Sequence, residues 1–311
     1  MINYTQDEWV KIMDGIIFVD KPMNFTSFDV IAKLRGILKQ KKLGHAGTLD
    51  PQATGVLPVF IGRATKAIDL IGDHDKSYKV TFRLGLTTDT QDIWGKVISE
   101  KDIDPVIEEK KVMEAAAKFI GHIEQLPPMY SAVKISGVRL YDLAREGIVV
   151  ERKTRPVTIY DIKLVAFDNL LHEYTLNVSC SKGTYIRTLC NDIGEALETG
   201  ACVTMLRRTY ACGFDESSCH SLEEIALSAQ AGEIERLIKP VESVFSSLER
   251  IMLDEAQTRL FKNGVKLDIN RINNCPKTQG NIAVYDYCGN FFAIACINKE
   301  KDELSVLKFF G

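Results

Sequence analysis

The sequence predicts an α+β protein with a mostly antiparallel central sheet flanked by helices, followed by a small β-rich module. Segments 77–84 and 174–180 alternate apolar and polar residues, as half-buried strands do. Helical patterns lie between such strands without a regular βαβ rhythm, which argues against a doubly wound parallel sheet. Beyond residue 250 one helical pattern is followed by short strands. We therefore expect a large domain over residues 1–250 and a small accessory domain over residues 251–311.

The individual elements follow from local signals along the chain. A buried strand over 16–20 precedes a helix that runs to about Lys39 and that Thr26 or Ser27 caps. The further predicted elements are a helix over 108–120, a strand over 130–135 after Pro127-Pro128, a helix over 140–145 ended by Gly147, a helix after Gly183 capped by Thr184, a helix over 253–262, and strands over 281–287, 291–298 and 304–310.

Composition narrows the class of protein. The chain has 311 residues, of which 45% are hydrophobic and 26% charged, with a net charge of −3. No apolar run approaches a membrane span, and the mixed, acidic N-terminus is unlike a secretory signal, so we expect a cytoplasmic protein. The eight cysteines form no CxxC pair and no zinc-finger spacing, which indicates structural thiols and no metal site.

The segment KKLGHAGTLDPQATGVLPVFIGRATK, residues 41–66, holds a single acidic residue, Asp50. Glycines permit unusual backbone angles there, and Pro51 pushes Asp50 towards an extended conformation. Five basic residues lie between 33 and 42 without an acid among them. A Leu-Asp-Pro bend alone is typical of a turn aspartate. A stiffly held carboxylate beside a basic run also fits chemistry on an anionic polymer, whereas the segment lacks the ending of a phosphate-binding P-loop.

Three more residues stand out by position. Arg187 lies in the first turn of a predicted helix and off its apolar stripe, where a cation opposes the helix macrodipole. It is either an exposed arginine or one held by an anion, such as Asp50 or a phosphate. Tyr78 opens the apolar face of its strand, which fits a core tyrosine or a ring placed against a base. His45 lies on a glycine-flanked loop, which favours a contact to substrate.

Five motifs in a fixed order carry a family resemblance. They are residues 41–66 and the segments DKSYKVTFRLGLTTDTQDIWG, PPMYSAVKISGVRLYDLAREG, CSKGTYIRTLCNDIGEAL and GACVTMLRRTYACGF. Together they closely resemble the TruB family of tRNA pseudouridine synthases over residues 14–215. The final module is similar in position and size to the family's C-terminal PUA RNA-binding domain, with a much weaker match in sequence. The resemblance implies a pseudouridine synthase catalytic domain (1–250) followed by a PUA-like RNA-binding domain (251–311).

The resemblance also implies a reaction and a site. The reaction is isomerisation of uridine 55 in the TΨC loop of tRNA to pseudouridine, without cofactor or metal. Asp50 would be the nucleophile, and Arg187 would pair with it and favour its ionised form. Tyr78 would stack on the target base and is a candidate general base. The resemblance further assigns Tyr185 and Leu206 to the uracil pocket and His45 to the space left by flipped nucleotides.

The implied partner is tRNA, bound through its T-arm stem-loop. Lys41, Lys42 and Arg207 are predicted to lie near RNA phosphates. Box H/ACA-guided synthases share the core motifs but carry longer basic extensions, so we expect a standalone, monomeric enzyme with no required protein partner. The alternative of another class is an RNA-binding chaperone without turnover. The presence of Asp50, Tyr78 and Arg187 together favours an enzyme.

Overall fold

The computed structural model describes residues 13–71, 75–103, 105–135, 137–276 and 278–311. Its helices are α1 (Ser27–Leu38), α2 (Glu109–Ala117), α3 (Leu140–Arg145), α4 (Ile186–Ala196), α5 (Leu222–Gln230) and α6 (Glu255–Lys262). No helix of these described ranges is long and apolar enough to cross a membrane.

Thirteen strands precede residue 250 in the described part of the chain. They are β1 (Gly15–Lys21), β2 (Leu43–His45), β3 (Thr54–Ile61), β4 (Lys76–Leu84), β5 (Leu86–Thr88), β6 (Val97–Glu100), β7 (Gly121–Gln125), β8 (Lys134–Ile135), β9 (Val138–Arg139), β10 (Arg155–Asp168), β11 (Glu173–Cys180), β12 (Ala201–Ala211) and β13 (Phe214–Asp215). The main sheet has the order β1-β3-β12-β4-β11-β10-β7, with β2 paired to β3 and β13 to β12.

The sheet differs in one respect from the predicted, mostly antiparallel one. Strands β3 and β12 run parallel, with Arg207 opposite Thr54 and Arg208 opposite Gly55, whereas the other pairs are antiparallel. A parallel pair needs a long crossover connection, and more than a hundred residues separate these two strands. Alternation within a strand does not reveal the direction of its neighbour, so sequence patterns alone missed this pairing.

Gly55 makes the parallel pairing possible. Its φ is +98°, and a Cβ atom placed there would lie 2.2 Å from the carbonyl oxygen of Arg208. Only glycine allows the two backbones to approach this closely. The seam between β3 and β12 therefore joins β1, β2 and β3 to the strands from β4 onwards.

Helices cover the sheet on separate apolar clusters. Helix α1 packs its stripe against β1 and β3, together with Ile225 of α5. Helices α2 and α4 pack against β4, β11 and β12, where the predicted inward residues Tyr174, Leu176, Val178 and Cys180 are all buried. Thr26 caps α1 through a reciprocal pair of bonds with Asp29, which confirms one of the two predicted caps.

Two local predictions were wrong. Residues 130–133 do not form a strand, because the Tyr130 carbonyl accepts a hydrogen bond from Arg187 and the Ser131 N–H donates to the nearby Met129 O. Of the predicted strand 130–135, only β8 is present. Thr184 does not cap α4, because the helix begins one residue later with Tyr185 at its N-cap. The Thr184 hydroxyl instead donates to the carbonyl of Ser181.

The residues after 249 form a second sheet. Its strands are β14 (Arg250–Met252), β15 (Leu267–Asp268), β16 (Gly280–Tyr285), β17 (Phe291–Asn298) and β18 (Glu303–Phe309). They lie in the order β14-β16-β17-β18-β15, with β14 parallel to β16. The predicted late helix and three strands are confirmed. One apolar cluster joins Phe245 to Ile294 and Phe310 and reaches Phe18 of β1, so the second sheet packs on the first part of the fold.

Candidate active site

Asp50 lies on the loop between β2 and β3. The loop is anchored by Ser27, the first residue of α1, whose Oγ accepts a hydrogen bond from Leu49 N–H at 2.9 Å. Leu49 is buried, and the Asp50 carbonyl accepts from Ala53 N–H in a tight turn. The Asp50 side chain is 42% exposed, so a fixed backbone presents an accessible carboxylate.

Arg187 is buried beside this carboxylate. Its Nε lies 2.9 Å from Asp50 Oδ2, and its side chain is only 7% exposed. Nη1 donates to Thr90 O at 2.7 Å and Nη2 donates to Tyr130 O at 2.8 Å. Of the two possibilities left open by the sequence, the structure shows an arginine held by an anion. Four groups around the guanidinium offset its unfavourable position at a helix N-terminus.

The fourth of these groups is Asp92, which sequence reasoning did not single out. Its Oδ2 lies 3.6 Å from Arg187 Nη1, and its Oδ1 accepts from the Thr90 hydroxyl at 2.7 Å and from Trp94 N–H. Burial raises the pKa of Asp92, which outweighs the lowering by Thr90 and Arg187. Its one sequence signal is its place in the second of the five motifs.

Tyr78 belongs to β4, and β12 lies between β4 and β3, the strand that follows the Asp50 loop. Tyr78 pairs with Arg208 of β12 and with Val178 of β11, and it is 8% exposed. Burial raises the pKa of its phenol, against the lowering effect of the Arg208 charge. Leu206 lies two residues before Arg208 and packs against the apolar cluster that contains both Leu49 and Tyr78.

Tyr185 is fixed by a residue that the sequence did not reveal. Buried Gln125, at the end of β7, accepts a hydrogen bond from Tyr185 N–H at 2.8 Å and donates to Tyr185 O at 3.0 Å. This pair of bonds holds the chain just before α4. Tyr185 and Arg187 are therefore set on one rigid helix start.

His45 ends β2, where it pairs with Val59 of β3. It is partly buried, and its Nδ1 has no hydrogen-bond partner among the described residues. Burial lowers the pKa of His45, and the Arg208 charge lowers it further. This shift favours the neutral imidazole at pH 7.

Lys21 is a further residue that the sequence did not reveal. It is fully buried at the end of β1, and its Nζ donates to the carbonyls of Pro22, Phe25 and Pro51. Burial lowers the pKa of Lys21 to about 8, although the nearby charge of Asp50 raises it. The bond to Pro51, 3.1 Å long, ties the lysine to the residue directly after Asp50.

The three predicted phosphate contacts lie in different environments. Lys41 and Lys42 are exposed between α1 and β2, and Arg35 Nε donates to Lys41 O. Arg207 is bound by two carboxylates of the protein: both its Nη atoms bind Asp20 at 2.9 Å and its Nε binds Glu216. These carboxylates raise the pKa of Arg207 and balance its charge, which counts against a phosphate contact.

No cluster of three or more His, Cys, Asp or Glu side chains in the described ranges is arranged to hold a metal ion. Asp50, Arg187 and Asp92 form one ion network, and Leu206 shares an apolar cluster with Tyr78. An exposed carboxylate that is fixed by a buried cation and lies beside the apolar cluster of Leu49 and Tyr78 can act as a nucleophile.

Comparisons with known proteins identify the chemistry. The profile of the TruB family pseudouridylate synthase (N terminal domain) matches residues 35–186, and that of the tRNA pseudouridylate synthase B C-terminal domain matches residues 187–246. The chain is 45% identical to tRNA pseudouridine synthase B of Clostridium tetani (strain Massachusetts / E88) over 273 residues, 88% of this chain and 92% of that protein. It is 44% identical to the protein of that name from Clostridium perfringens (strain SM101 / Type A), over 84% of this chain and 86% of that one.

Solved structures agree on the fold. A Cbf5–Nop10–Gar1 complex contains a chain that matches with a TM-score of 0.75 at 25% identity, covering 96% of this chain and 85% of that one. An H/ACA RNP bound to a substrate RNA contains a chain that matches with a TM-score of 0.73 at 22% identity, over the same shares of the two chains. The fold and the matches together define a pseudouridine synthase, an isomerase that acts on RNA. Within that class, the chain belongs to the TruB family of tRNA pseudouridine synthases.

Proposed function

We propose that this enzyme converts uridine 55 in the TΨC loop of tRNA to pseudouridine, with Asp50 as its nucleophile. The observation that carries the proposal is the 2.9 Å ion pair between Arg187 Nε and Asp50 Oδ2, in which the arginine is buried and the carboxylate stays 42% exposed. The cation fixes one carboxylate oxygen while the group remains accessible. A reactant held in a fixed orientation needs less reorganisation to reach the transition state.

The reaction conserves all atoms. The bond between N1 of the uracil and C1′ of the ribose breaks, the base rotates while it is held, and a bond forms between C5 and C1′. The C5 proton is lost to a base and N1 regains a proton. A carboxylate can support such a step by adding covalently either to the anomeric carbon of the sugar or to a carbon of the base.

The target base has to leave the stack before Asp50 can reach it. Tyr78 and Leu206 are proposed to form the walls of the uracil slot, and Tyr185 to close it at the start of α4. The half-buried, neutral His45 is proposed to fill the space that the flipped nucleotides leave. Because burial raises the pKa of Tyr78, its phenol is protonated at neutral pH, which favours stacking over proton abstraction.

Contacts to the RNA backbone are proposed for Lys41 and Lys42, whose exposed cations lie four and three residues before His45. We also propose that residues 1–250 form the catalytic domain and 251–311 a PUA-like RNA-binding domain. The second sheet, which begins with β14 at Arg250, supports that division. Action on tRNA fits a cytoplasmic enzyme, and a monomer without a protein partner remains our expectation.

The test is turnover of a T-arm stem-loop by purified wild type and by the Asp50→Ala and Asp50→Asn variants. Both variants should lose pseudouridine formation while binding the stem-loop within a few-fold of wild type. A stem-loop with cytidine at position 55 should bind and stay unmodified. Asp14→Ala is the matched control, because Asp14 pairs with Arg63 outside the site at 2.8 Å. Turnover by Asp50→Ala would refute the nucleophile.

A further inference from the structure

Arg208 is the largest side chain that the structure buries completely. It lies on β12 between Gly55 of β3 and Tyr78 of β4, at the seam of the sheet. A guanidinium taken out of water is costly unless its donors find partners. Two of them do: Nε donates to Val56 O at 2.7 Å, and Nη2 donates to Gly47 O at 3.0 Å. Both acceptors are main-chain carbonyls, and the second belongs to the loop that carries Asp50.

The third nitrogen, Nη1, is buried and has no hydrogen-bond partner of standard geometry among the described residues. The Arg208 guanidinium nevertheless lowers the pKa of Tyr78 through a side-chain hydrogen bond as well as through its charge. Nη1 lies directly against Gly47. A Cβ atom at Gly47 would come within 3.1 Å of Nη1 and within 3.3 Å of Cε of Lys76, and the φ of +75° also favours glycine. The loop therefore rests on the guanidinium with room for no side chain. This contact sets the height of the loop above β3 and β4.

The same cation influences the groups around it. Its charge lowers the pKa of Tyr78, of His45 and of Lys76, in each case beside a larger effect of burial. The loop from His45 to Gly47 is held on its other side by β3, where Ala46 N–H donates to Pro58 O at 3.1 Å. Arg208 thus closes the gap between this loop and the ring of Tyr78.

We propose that Arg208 is a positioning residue for the isomerisation: through Gly47 O it fixes the spacing between the Asp50 loop and Tyr78. The inference rests on the proposed function, because that spacing is the width of the uracil slot. Arginine suits the task better than lysine, since its planar fork donates to two divergent carbonyls at once. Of the adjacent Arg207 and Arg208, the buried one acts on the site, while the other is bound by Asp20 and Glu216.

Arg208→Lys is the main test, because it keeps the charge and most of the volume and removes the fork. We expect the single-turnover rate on the T-arm stem-loop to fall on the order of 100-fold, as for a misplacement of about 1 Å, with the dissociation constant within threefold. Ile225→Val, at a buried position of α5 outside the proposed site, serves as a control for lost stability and should keep the wild-type rate. A wild-type rate for Arg208→Lys would overturn the proposal.

Gly47→Ala tests the same contact from the other side, even if Arg208→Lys fails to fold. It should also lower the rate and spare binding, and the double variant should be no slower than the slower single variant. Additive losses would show two independent effects and overturn the proposal. A merely structural arginine would lower the rate only as far as it lowers stability, whereas a positioning arginine lowers the rate of folded Arg208→Lys with the dissociation constant kept. Arg208→Met should also raise the pKa of His45 in an NMR titration, which checks that the cation lies beside the imidazole. If wild type itself did not convert the stem-loop, that result would refute the proposed function, whereas a wild-type rate for Arg208→Lys would refute only the role of Arg208.

Discussion

Arg187 Nε lies 2.9 Å from Asp50 Oδ2, and the same guanidinium donates to the carbonyls of Thr90 and Tyr130. One buried cation therefore joins the Asp50 loop, the turn after β5 and the segment after β7. Its geometry uses all three guanidinium nitrogens. A point charge could satisfy one of these directions at a time.

Replacing Arg187 by lysine should separate charge from geometry. We expect Arg187→Lys to lower the single-turnover rate on the order of 100-fold or more, because the Asp50 carboxylate loses its fixed orientation. Affinity for the stem-loop should change little, since the arginine is 7% exposed. Rapid-quench kinetics and a binding titration measure the two quantities. Equal losses of rate and affinity would mean that Arg187 holds the RNA instead.

Arg187→Met should in addition destabilise the fold. It leaves Asp92, whose side chain is 14% exposed, without its cation, and a buried charge that loses its partner costs about 3–5 kcal/mol. Urea unfolding of Arg187→Met and of the double variant Arg187→Met/Asp92→Asn measures the effect. Stability should recover in the double variant, and no recovery would contradict the coupling.

Tyr78 offers a choice between stacking and proton transfer. Since burial raises the pKa of the phenol, we expect the hydroxyl to stay protonated and Tyr78→Phe to lose less than about 100-fold in rate, below the usual contribution of a general base. Tyr78→Ala, which removes the ring, should lose far more. A rate for Tyr78→Phe as low as that for Tyr78→Ala would assign the proton transfer to the hydroxyl.

The sequence predicted what depends on local patterns. Alternation located β4 and β11, and the unfavourable place of Arg187 at a helix start raised an anion such as Asp50 as one of two possibilities, which is the one that the structure shows. The resemblance then supplied the reaction. The strand predictions needed only residues within one segment. The inference about Arg187 needed only a cation at an unfavourable helix position and an anion that would offset it.

The residues that sequence reasoning missed are buried polar groups. Lys21, Gln125 and Arg208 are buried and the Asp92 side chain is 14% exposed, and each has at least one partner from a distant segment, although such residue types are usually exposed. Their burial follows from the parallel pairing of β3 with β12 and from the packing of the end of β7 and the segment after it against the start of α4. Strand alternation encodes neither of these, so neither the parallel pair nor the four residues could be predicted from it.

His45 should contact RNA as a neutral group. Its pKa is lowered by burial and by Arg208, so it takes up a proton only below its ordinary value of 6.5. When the logarithm of the dissociation constant is plotted against the logarithm of the salt concentration, wild type and His45→Gln should therefore have equal slopes at about pH 7.5. Lys42→Ala should lower the slope by about 0.7–0.9, the contribution of one phosphate contact. A similar decrease for His45→Gln would show a charged histidine.

Lys21 should stabilise the Asp50 loop. Lys21→Met removes the donor shared by the partly buried Pro22 O, Phe25 O and Pro51 O. A fully buried carbonyl left without a donor costs about 1–3 kcal/mol, and partly buried ones cost less because water can replace the donor. We expect lower stability in urea together with a lower rate, since Pro51 follows Asp50 directly. Lys66→Met, whose Nζ donates to Phe309 O away from the site, is the control and should keep its rate.

The same lysine should give the folding free energy a defined dependence on pH. In the folded protein the pKa of Lys21 is lowered from 10.5 to about 8, chiefly by burial. Between these two values the unfolded chain binds a proton that the folded chain lacks, so stability contributed at this position rises with pH. The difference in unfolding free energy between wild type and Lys21→Met should therefore widen in favour of wild type from about pH 7.5 to about pH 9.5. A difference that is constant or narrows across this window would show that the folded protein keeps Lys21 protonated.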